Sequence, residues 1–322
     1  MDFHKKIKRI ELPTDWPVGP VNVYLIFGDK LTLIDAGMKL KKSWTEFRET
    51  LRKEGLSIRD IEQIILTHHH GDHIGLLDYI LDNHPVPVYA HGNCRPFLSQ
   101  DQTFFKNSRK FFEDFYKEFG LPEEEACRLA AMKDYDKSHL RRINIEKELK
   151  DGDMVEGLKG WQAVETRGHA QSHISLYHSE ERILICGDHL IGHSPAGVFL
   201  EAPQHSGEER SKPLIQYIES LKKLLKLPVD VTLSGHGEPI RQLPLKIHET
   251  LNKIDKRAAR VKGKLQRNKK TGYELINELY GKKAEAAMGV FISDAIGLLD
   301  LLLDKNEITA ENHDGILYYR AN

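Results

Sequence analysis

The sequence carries almost no net charge, little cysteine and no long apolar run. Its 47 Lys and Arg stand against 48 Asp and Glu, a formal charge of −1. No overall field therefore draws the molecule onto nucleic acid or an anionic membrane. Nowhere do roughly 18 apolar residues follow one another, so a membrane span is not expected. The three cysteines, Cys94, Cys127 and Cys186, are odd in number and far apart. They read as buried or free thiols of a reducing compartment rather than as a disulfide framework. The opening MDFHKKIKRIELPTDW has charges but no apolar segment after them, so no secretory signal is visible. The expected location is the cytoplasm.

What the chain does have is material for a core and an excess of one residue type. Hydrophobic residues make up 40% and charged residues 30%, which argues for a folded, soluble chain. There are 17 histidines, and eight of them (His68, His69, His70, His73, His169, His173, His189, His236) fall in four short clusters, each after an apolar run.

The runs VNVYLIF (21–27) and KLTLI (30–34), split by Gly28-Asp29, predict a hairpin that ends in Asp35-Ala36-Gly37. Helical spacing over 41–54, a strand over 61–66, a helix over 76–81 and a strand over 86–89 follow. This alternation predicts an α/β layered fold with mixed sheets. From about 95 to 148 the texture changes: Phe97, Phe104, Phe105, Phe111, Phe112, Phe115, Tyr116 and Phe119 crowd together, predicting two or three inserted helices. These either cap a pocket with an apolar surface or form the core of an added helical subdomain. Strands are expected again over 161–166, 174–177, 183–186 and 231–233. A boundary is placed near residue 241, dividing 1–240 from a helical tail, 241–322. In the tail, residues 251–270 hold nine Lys or Arg against Asp255 alone.

In THHHGDH, His68 and His70 are two apart, so a strand that ends in a loop presents both to one ion. Asp72 and His73 lie on the next turn and can face a second ion. Imidazole with carboxylate suits Zn²⁺, with Mn²⁺ or Fe also accepted. Further single ligands recur at strand ends: His169 in TRGHAQSH, Asp188 in LICGDH and His236 in LSGHG.

The ordered set LIDAG, THHHGDH, TRGHAQSH, CGDH and SGHG resembles the five-motif signature of the metallo-β-lactamase superfamily. It runs from about Val21 to Ile240, roughly two thirds to three quarters of the chain. The resemblance implies an αββα four-layer sandwich and two divalent metal ions, most simply Zn²⁺. His68, His70 and His169 match the first metal's ligands, Asp72, His73 and His236 the second's, and Asp188 the bridging carboxylate. Asp35 matches the aspartate that supports the metal loop from behind. Arg167 stands where proline is usual, either as a cation at the pocket rim or as an ordinary loop residue. His69 points away from its neighbours. His173, His189 and His193 either contact substrate or cap loop ends, and Cys186 reads as core.

Two divalent ions about 3.5–4 Å apart can share a water and hold it as hydroxide near neutral pH, which attacks a carbonyl carbon or phosphorus. Asp72 is the candidate catalytic group, orienting the nucleophile or passing its proton on. The expected activity is hydrolysis of a small ester, thioester or lactone. Two alternatives stay open. The tail, ending in GILYY, resembles the winged-helix-like tail of a superfamily branch that includes lactamase-β-like endoribonucleases, and the basic segment 251–270 would then meet phosphates. A non-catalytic metal-binding sensor is the other. The tail is expected to pack on the α/β body and shape the pocket mouth or a homodimer contact.

Overall fold

Short runs of largely buried, mostly apolar side chains set the two main sheets. The computed structural model describes residues 6–132, 142–205 and 207–322. Ile7–Leu12 (β1), Val21–Phe27 (β2) and Leu31–Ile34 (β3) pair antiparallel. Gln63–Ile65 (β4), Val88–Ala90 (β5) and Lys147–Glu148 (β6) then add in parallel, giving a six-stranded sheet. The second sheet has Trp161–Glu165 (β7), Ile174–His178 (β8), Ile183–Gly187 (β9) and Val231–Ser234 (β10) in the order β10-β9-β8-β7. Only its β9–β10 pair is parallel.

Tyr24, Ile26, Ile34 and Ile65 of the first sheet form one core with Ile174, Leu176, Ile183, Ile185, Val231 and Leu233 of the second. Each fully buried aliphatic side chain there contributes about 1.5–3 kcal/mol. The intervening residues Val23, Leu25, Leu33 and Ile64 are also fully buried. Helices Lys41–Lys53 (α1) and Leu77–Asn83 (α3) supply the buried Phe47, Leu51 and Ile80 of an outer layer. A strand buried on both faces reads as a continuous apolar run, which is how VNVYLIF looks. Between these helices lies the short Gly71–Ile74 (α2). Strand β1 was not expected. Its Lys8 and Arg9 break the apolar pattern and pair outward with Glu54 and Glu238, as charged edge strands do.

The chain divides into two compact units: Met1–Asp101, Lys137–Ala196 and Ser220–Lys246 in the first, and Gln102–Asp136, Gly197–Glu219 and Ile247–Asn322 in the second. The expected 95–148 insertion is narrower as a helical segment. Arg95–Leu98 (α4) belongs to the first unit, and β6 closes the insertion as a sheet strand. Its helices are Gln102–Glu118 (α5) and Glu123–Ala131 (α6), and residues 133–141 lie outside the described residues. Helices Pro213–Leu224 (α7) and Leu243–Leu265 (α8) contribute residues to both units.

In the second unit the aromatic residues of α5 face inward: Phe104, Phe105, Phe112, Phe115 and Tyr116 are buried, and Phe119 stacks on Phe115 at 5.5 Å. They are that unit's core. The tail continues with Lys270–Thr271 (β11), Gly272–Tyr280 (α9), Lys283–Ala286 (α10), Met288–Asp304 (α11), Ile308–His313 (β12) and Ile316–Ala321 (β13). Its sheet runs β11-β13-β12, so the tail is helical with a terminal hairpin. Thr271 and Glu274 cap α9 reciprocally, with Thr271 N donating to Glu274 Oε2 at 2.9 Å and Glu274 N to Thr271 Oγ1 at 3.2 Å. A Cβ at Gly272 would lie 2.2 Å from the Phe119 ring, so insertion and tail interlock. Arg210 grips Asp300 of α11 through two 2.6 Å bonds.

Removing the tail therefore uncovers the aromatic face of the insertion. A chain ending at Ile240 is expected to aggregate or to lose its cooperative thermal transition. A soluble truncated chain with a sharp transition near that of the full chain would contradict this packing.

Candidate metal centre

The site lies where strand ends of both sheets meet, all within the first unit. β4 leads into the loop carrying His68 and His70, and α2 carries Asp72 and His73. His169 sits between β7 and β8, Asp188 follows β9 and His236 follows β10. The Asp72-His73 turn is one helical turn, because His73 N and Ile74 N both bond the His70 carbonyl.

Two donor clusters result. His68, His70 and His169 form the first, and Asp72, His73, Asp188 and His236 the second, with the donor atoms of each within 4.8 Å of one another. In the first, His68 Nε2 is 3.1 Å from His70 Nδ1, and His169 Nε2 is 3.2 and 2.9 Å from those two atoms. A tetrahedral ion with bonds of about 2.0–2.1 Å sets its ligands about 3.3 Å apart, close to this triangle. In the second, His236 Nε2 lies 3.1 Å from Asp72 Oδ2 and 3.3 Å from Asp188 Oδ2, and His73 Nε2 lies 3.3 Å from Asp188 Oδ1. Asp188 Oδ2 is also 3.8 Å from His169 Nε2, so this carboxylate stands between the clusters.

The side chains fit divalent ions by the atoms they leave over. Both oxygens of Asp72, Asp188 Oδ1, His73 Nε2 and His236 Nε2 are buried without a hydrogen-bond partner. Groups of this kind cost several kcal/mol unless paired or metal-bound. The opposite edges of three of the imidazoles are used. His236 Nδ1 donates to the Pro20 carbonyl at 2.7 Å and His73 Nδ1 to Asp35 Oδ2 at 2.8 Å. His68 Nδ1 meets Thr67 Oγ1 at 3.0 Å, and that hydroxyl donates to Asp35 Oδ2 at 2.8 Å. Bonds of this kind fix the tautomer and aim the other nitrogen at the ion.

The two clusters differ in charge. Burial holds His68 and His70 well below the usual imidazole range, reinforced by neighbouring imidazoles, so these ligands are neutral. Burial also opposes charge on His73 and His236, but Asp188 and Asp72 outweigh it, lifting His73 well above its usual value and His236 to about 9. Asp188 is held well below the ordinary carboxylate range: burial works against its charge, and His73 and His236 overcome it.

The remaining candidates fall around this centre. His69 is buried, with Nδ1 2.8 Å from Ser172 Oγ and its ring stacked at 3.5 Å on Phe97. Burial pushes both His69 and His189 down to about 3, so neither carries charge at neutral pH. His173, a candidate substrate contact, has no exposed surface, and its Nδ1 meets Thr166 Oγ1 at 2.8 Å. Its Nε2 is buried without a hydrogen-bond partner. Arg167 pairs with Glu165 at 2.9 Å, and its carbonyl accepts from Ser220. His193 is exposed, with Nε2 3.2 Å from the Val18 carbonyl. Cys186 is buried in the strand core, its thiol pushed up to about 12 chiefly by burial.

Sequence reasoning did not find Thr67, Asn22 and Tyr24. Asn22 Nδ2 donates to the carbonyls of Ser234 and Gly237, and Tyr24 Oη to that of Ser234, clamping the loop that carries His236. Both look like ordinary strand residues in VNVYLIF. Only the approach of β10's end to β2 gives them a role. Gly235 has a stricter reason, since a Cβ there would lie 2.1 Å from Asp188 Oδ1.

The fold and this donor set define a metal-dependent hydrolase. Residues 16–236 match the metallo-beta-lactamase superfamily profile, and the chain belongs to that superfamily. It is 35% identical over 317 residues, 97% of each chain, to a probable metallo-hydrolase of Bacillus subtilis, YqjP. A metallo-beta-lactamase family protein of Thermus thermophilus superposes with a TM-score of 0.79 at 23% identity, covering 99% of both chains. More distantly, an atrochrysone carboxyl ACP thioesterase of Passalora fulva is 24% identical over 282 residues, 84% of this chain and 66% of that one.

Two predictions follow the charge and the bridge. Zinc added to metal-free protein at pH 7 should enter the first cluster, where His68 and His70 are neutral, with less proton release than the second. Filling the second should expel the protons that Asp188 and Asp72 hold on His73 and His236, so its affinity climbs with pH. Calorimetry in buffers of different ionisation enthalpy reads the difference, and equal proton release at both steps would contradict it. Asp188→Ala should bind one metal and lose most activity, whereas Asp35→Asn should weaken metal affinity by about 10–100-fold. Unchanged stoichiometry and turnover in Asp188→Ala would remove the bridging role.

Proposed function

We propose that the chain hydrolyses a small ester, thioester or lactone with two zinc ions, held by His68, His70 and His169 and by Asp72, His73 and His236, with Asp188 shared. Bound there, divalent ions supply Lewis acidity toward the electrophile's oxygen and acidify a water into a nucleophile. The chain's own groups do the rest. The Asp35, Thr67 and Pro20 contacts keep the ligand nitrogens aimed inward, and the buried walls exclude bulk water. Asp72 Oδ2 lies 3.1 Å from His236 Nε2, and neither Asp72 oxygen has a hydrogen-bond partner. The Asp72 carboxylate is the group that would accept a proton from the nucleophile and return it to the leaving group.

The observation that carries hydrolysis is the convergence of seven donor side chains in two clusters at strand ends. The preference for a carbonyl over a phosphodiester rests on what the basic segment does. Lys262 pairs with Glu307, Lys264 and Lys270 with Glu278, and Arg257 with Asp294, while Arg260 donates to the Leu279 carbonyl. Many of its cations are thus committed inside the second unit. The distant relative named as a thioesterase points the same way. The free cysteines, two of them buried, accord with the cytoplasm as the site of action.

A panel of aryl esters, thioesters, lactones and bis-nitrophenyl phosphate, run with added zinc or manganese, tests this reading. At least one carbonyl substrate should turn over about 100-fold faster than the phosphodiester, and chelation should abolish it. Dominant phosphodiester cleavage would reverse the assignment. No turnover across the panel with both metals bound would favour a binding role.

A further inference from the structure

Outside the metal centre, one cavity of about 640 Å³ is walled by α1, the Ile58–Asp60 turn and the end of α3. Arg48 and Arg52, one helical turn apart on α1, line it together with Arg59 from the turn. Glu49 is the sole carboxylate among its lining residues. Trp44 and Leu56 give it an apolar wall. Trp44 is held in place by Phe47 and Tyr79, at centroid distances of 6.3 and 5.3 Å, and the Arg48 guanidinium lies 5.8 Å from its ring centre.

The three guanidiniums have no ion-pair partner among the described residues. Several other arginines do: Arg9 pairs with Glu238, Arg95 with Glu148, Arg182 with Asp230 and Arg210 with Asp300. Carboxylates that the sequence places nearby are turned to other groups. Glu54 takes Lys8, and Asp60 accepts from Ser57 N and Oγ at 2.7 and 2.8 Å. The neutral donors are committed as well: Thr45 Oγ1 to the Lys41 carbonyl and Asn83 Nδ2 to that of Tyr79. What faces the cavity is therefore unneutralised positive charge in planar, forked form beside an aromatic wall.

Guanidinium forks match phosphate oxygens two at a time, so three of them from two elements offer more donors than one phosphate fills and suit two linked phosphates. The indole offers a face for a planar ring, and the volume lies within the range of small-molecule sites. We propose that this cavity binds a nucleoside polyphosphate, the phosphates on Arg48, Arg52 and Arg59 and the base against Trp44. The site is separate from the metal centre and does not depend on the reaction assigned there.

ADP titrated into the metal-replete full chain, followed by calorimetry, tests it. One saturable site is expected, with pyrophosphate binding more weakly, adenosine weaker still, and affinity falling as salt rises. Arg52→Gln and Arg59→Gln should each weaken ADP binding by about tenfold while the control Arg320→Gln leaves it unchanged. Glu49→Gln, which removes the lining carboxylate, should tighten binding, a gain that misfolding cannot produce. ADP affinity unaltered by Arg52→Gln and Arg59→Gln would place the anion elsewhere, such as on the metals, and overturn the proposal. So would adenosine or pyrophosphate binding as tightly as ADP, weaker binding in Glu49→Gln, or no saturable binding up to about millimolar ADP.

Discussion

The buried carboxylate of Asp35 is the contact on which both halves of the metal centre depend. Its Oδ1 accepts from Thr67 N at 2.7 Å, and its Oδ2 accepts from Thr67 Oγ1 and His73 Nδ1, both at 2.8 Å. Through Thr67 it reaches His68 in the first cluster, and through His73 it reaches the second. A carboxylate this buried would be costly alone, but three donors, one of them the His73 imidazole, offset its desolvation. The residue sits at φ +61, a conformation side chains seldom adopt. Its N–H bonds the Ile65 carbonyl, and the next amide bonds that of His73, so the surrounding chain fixes the turn on both sides. Strain of this kind persists where the structure over-determines it, and here it aims one charge at two metal positions.

The opposite wall obeys a spatial constraint rather than an electrostatic one. Gly235 N donates to the Gly187 carbonyl at 2.7 Å, drawing the ends of β10 and β9 together behind Asp188. Gly187 itself has φ +45, and a Cβ there would press on Thr67 Oγ1 and His173 Nε2 at 2.8 Å. Asp188 thus lies in a slot that any larger residue at 187 or 235 would close. The slot explains how a single carboxylate spans the two clusters. It is pushed forward between the imidazoles and has no room to fold back.

Much of this was legible in the sequence because the determinants are local and short-range. Strands β2, β3 and β7 to β10 are apolar runs bounded by turn residues, and each metal ligand lies within a few positions of such a run. The HxHxDH spacing and the later His, Asp and His identify the seven donors without coordinates. What stayed hidden depends on approach across sequence distance. Asn22 and Tyr24 act on a loop more than two hundred positions away. Strand β1 is masked by its outward charges, and β12 by exposure, with five of its six residues facing solvent. Asp314-Gly315, both at positive φ, is the turn that closes the β12–β13 hairpin, yet no apolar alternation accompanies it on the β12 side.

The tail shows how a resemblance in element order can be separated from the chemistry that usually goes with it. Its order is a helix, a short strand, three helices and a hairpin, and a winged-helix module, which the sequence resembles there, reads DNA by laying a cationic helix in a groove. Here α11 is the helix before the hairpin. It carries Asp294, Asp300 and Asp304 and no Lys or Arg, and most of its residues are buried. Asp294 accepts from Tyr280 Oη at 2.5 Å and pairs with Arg257, while Asp300 holds Arg210. The acids of α11 are therefore the internal counter-ions of the unit's cations. A helix so used has neither the surface nor the charge to meet phosphates. The ion pairs of Arg257, Lys262, Lys264 and Lys270 thus offset part of the positive charge that the basic segment carries in the sequence.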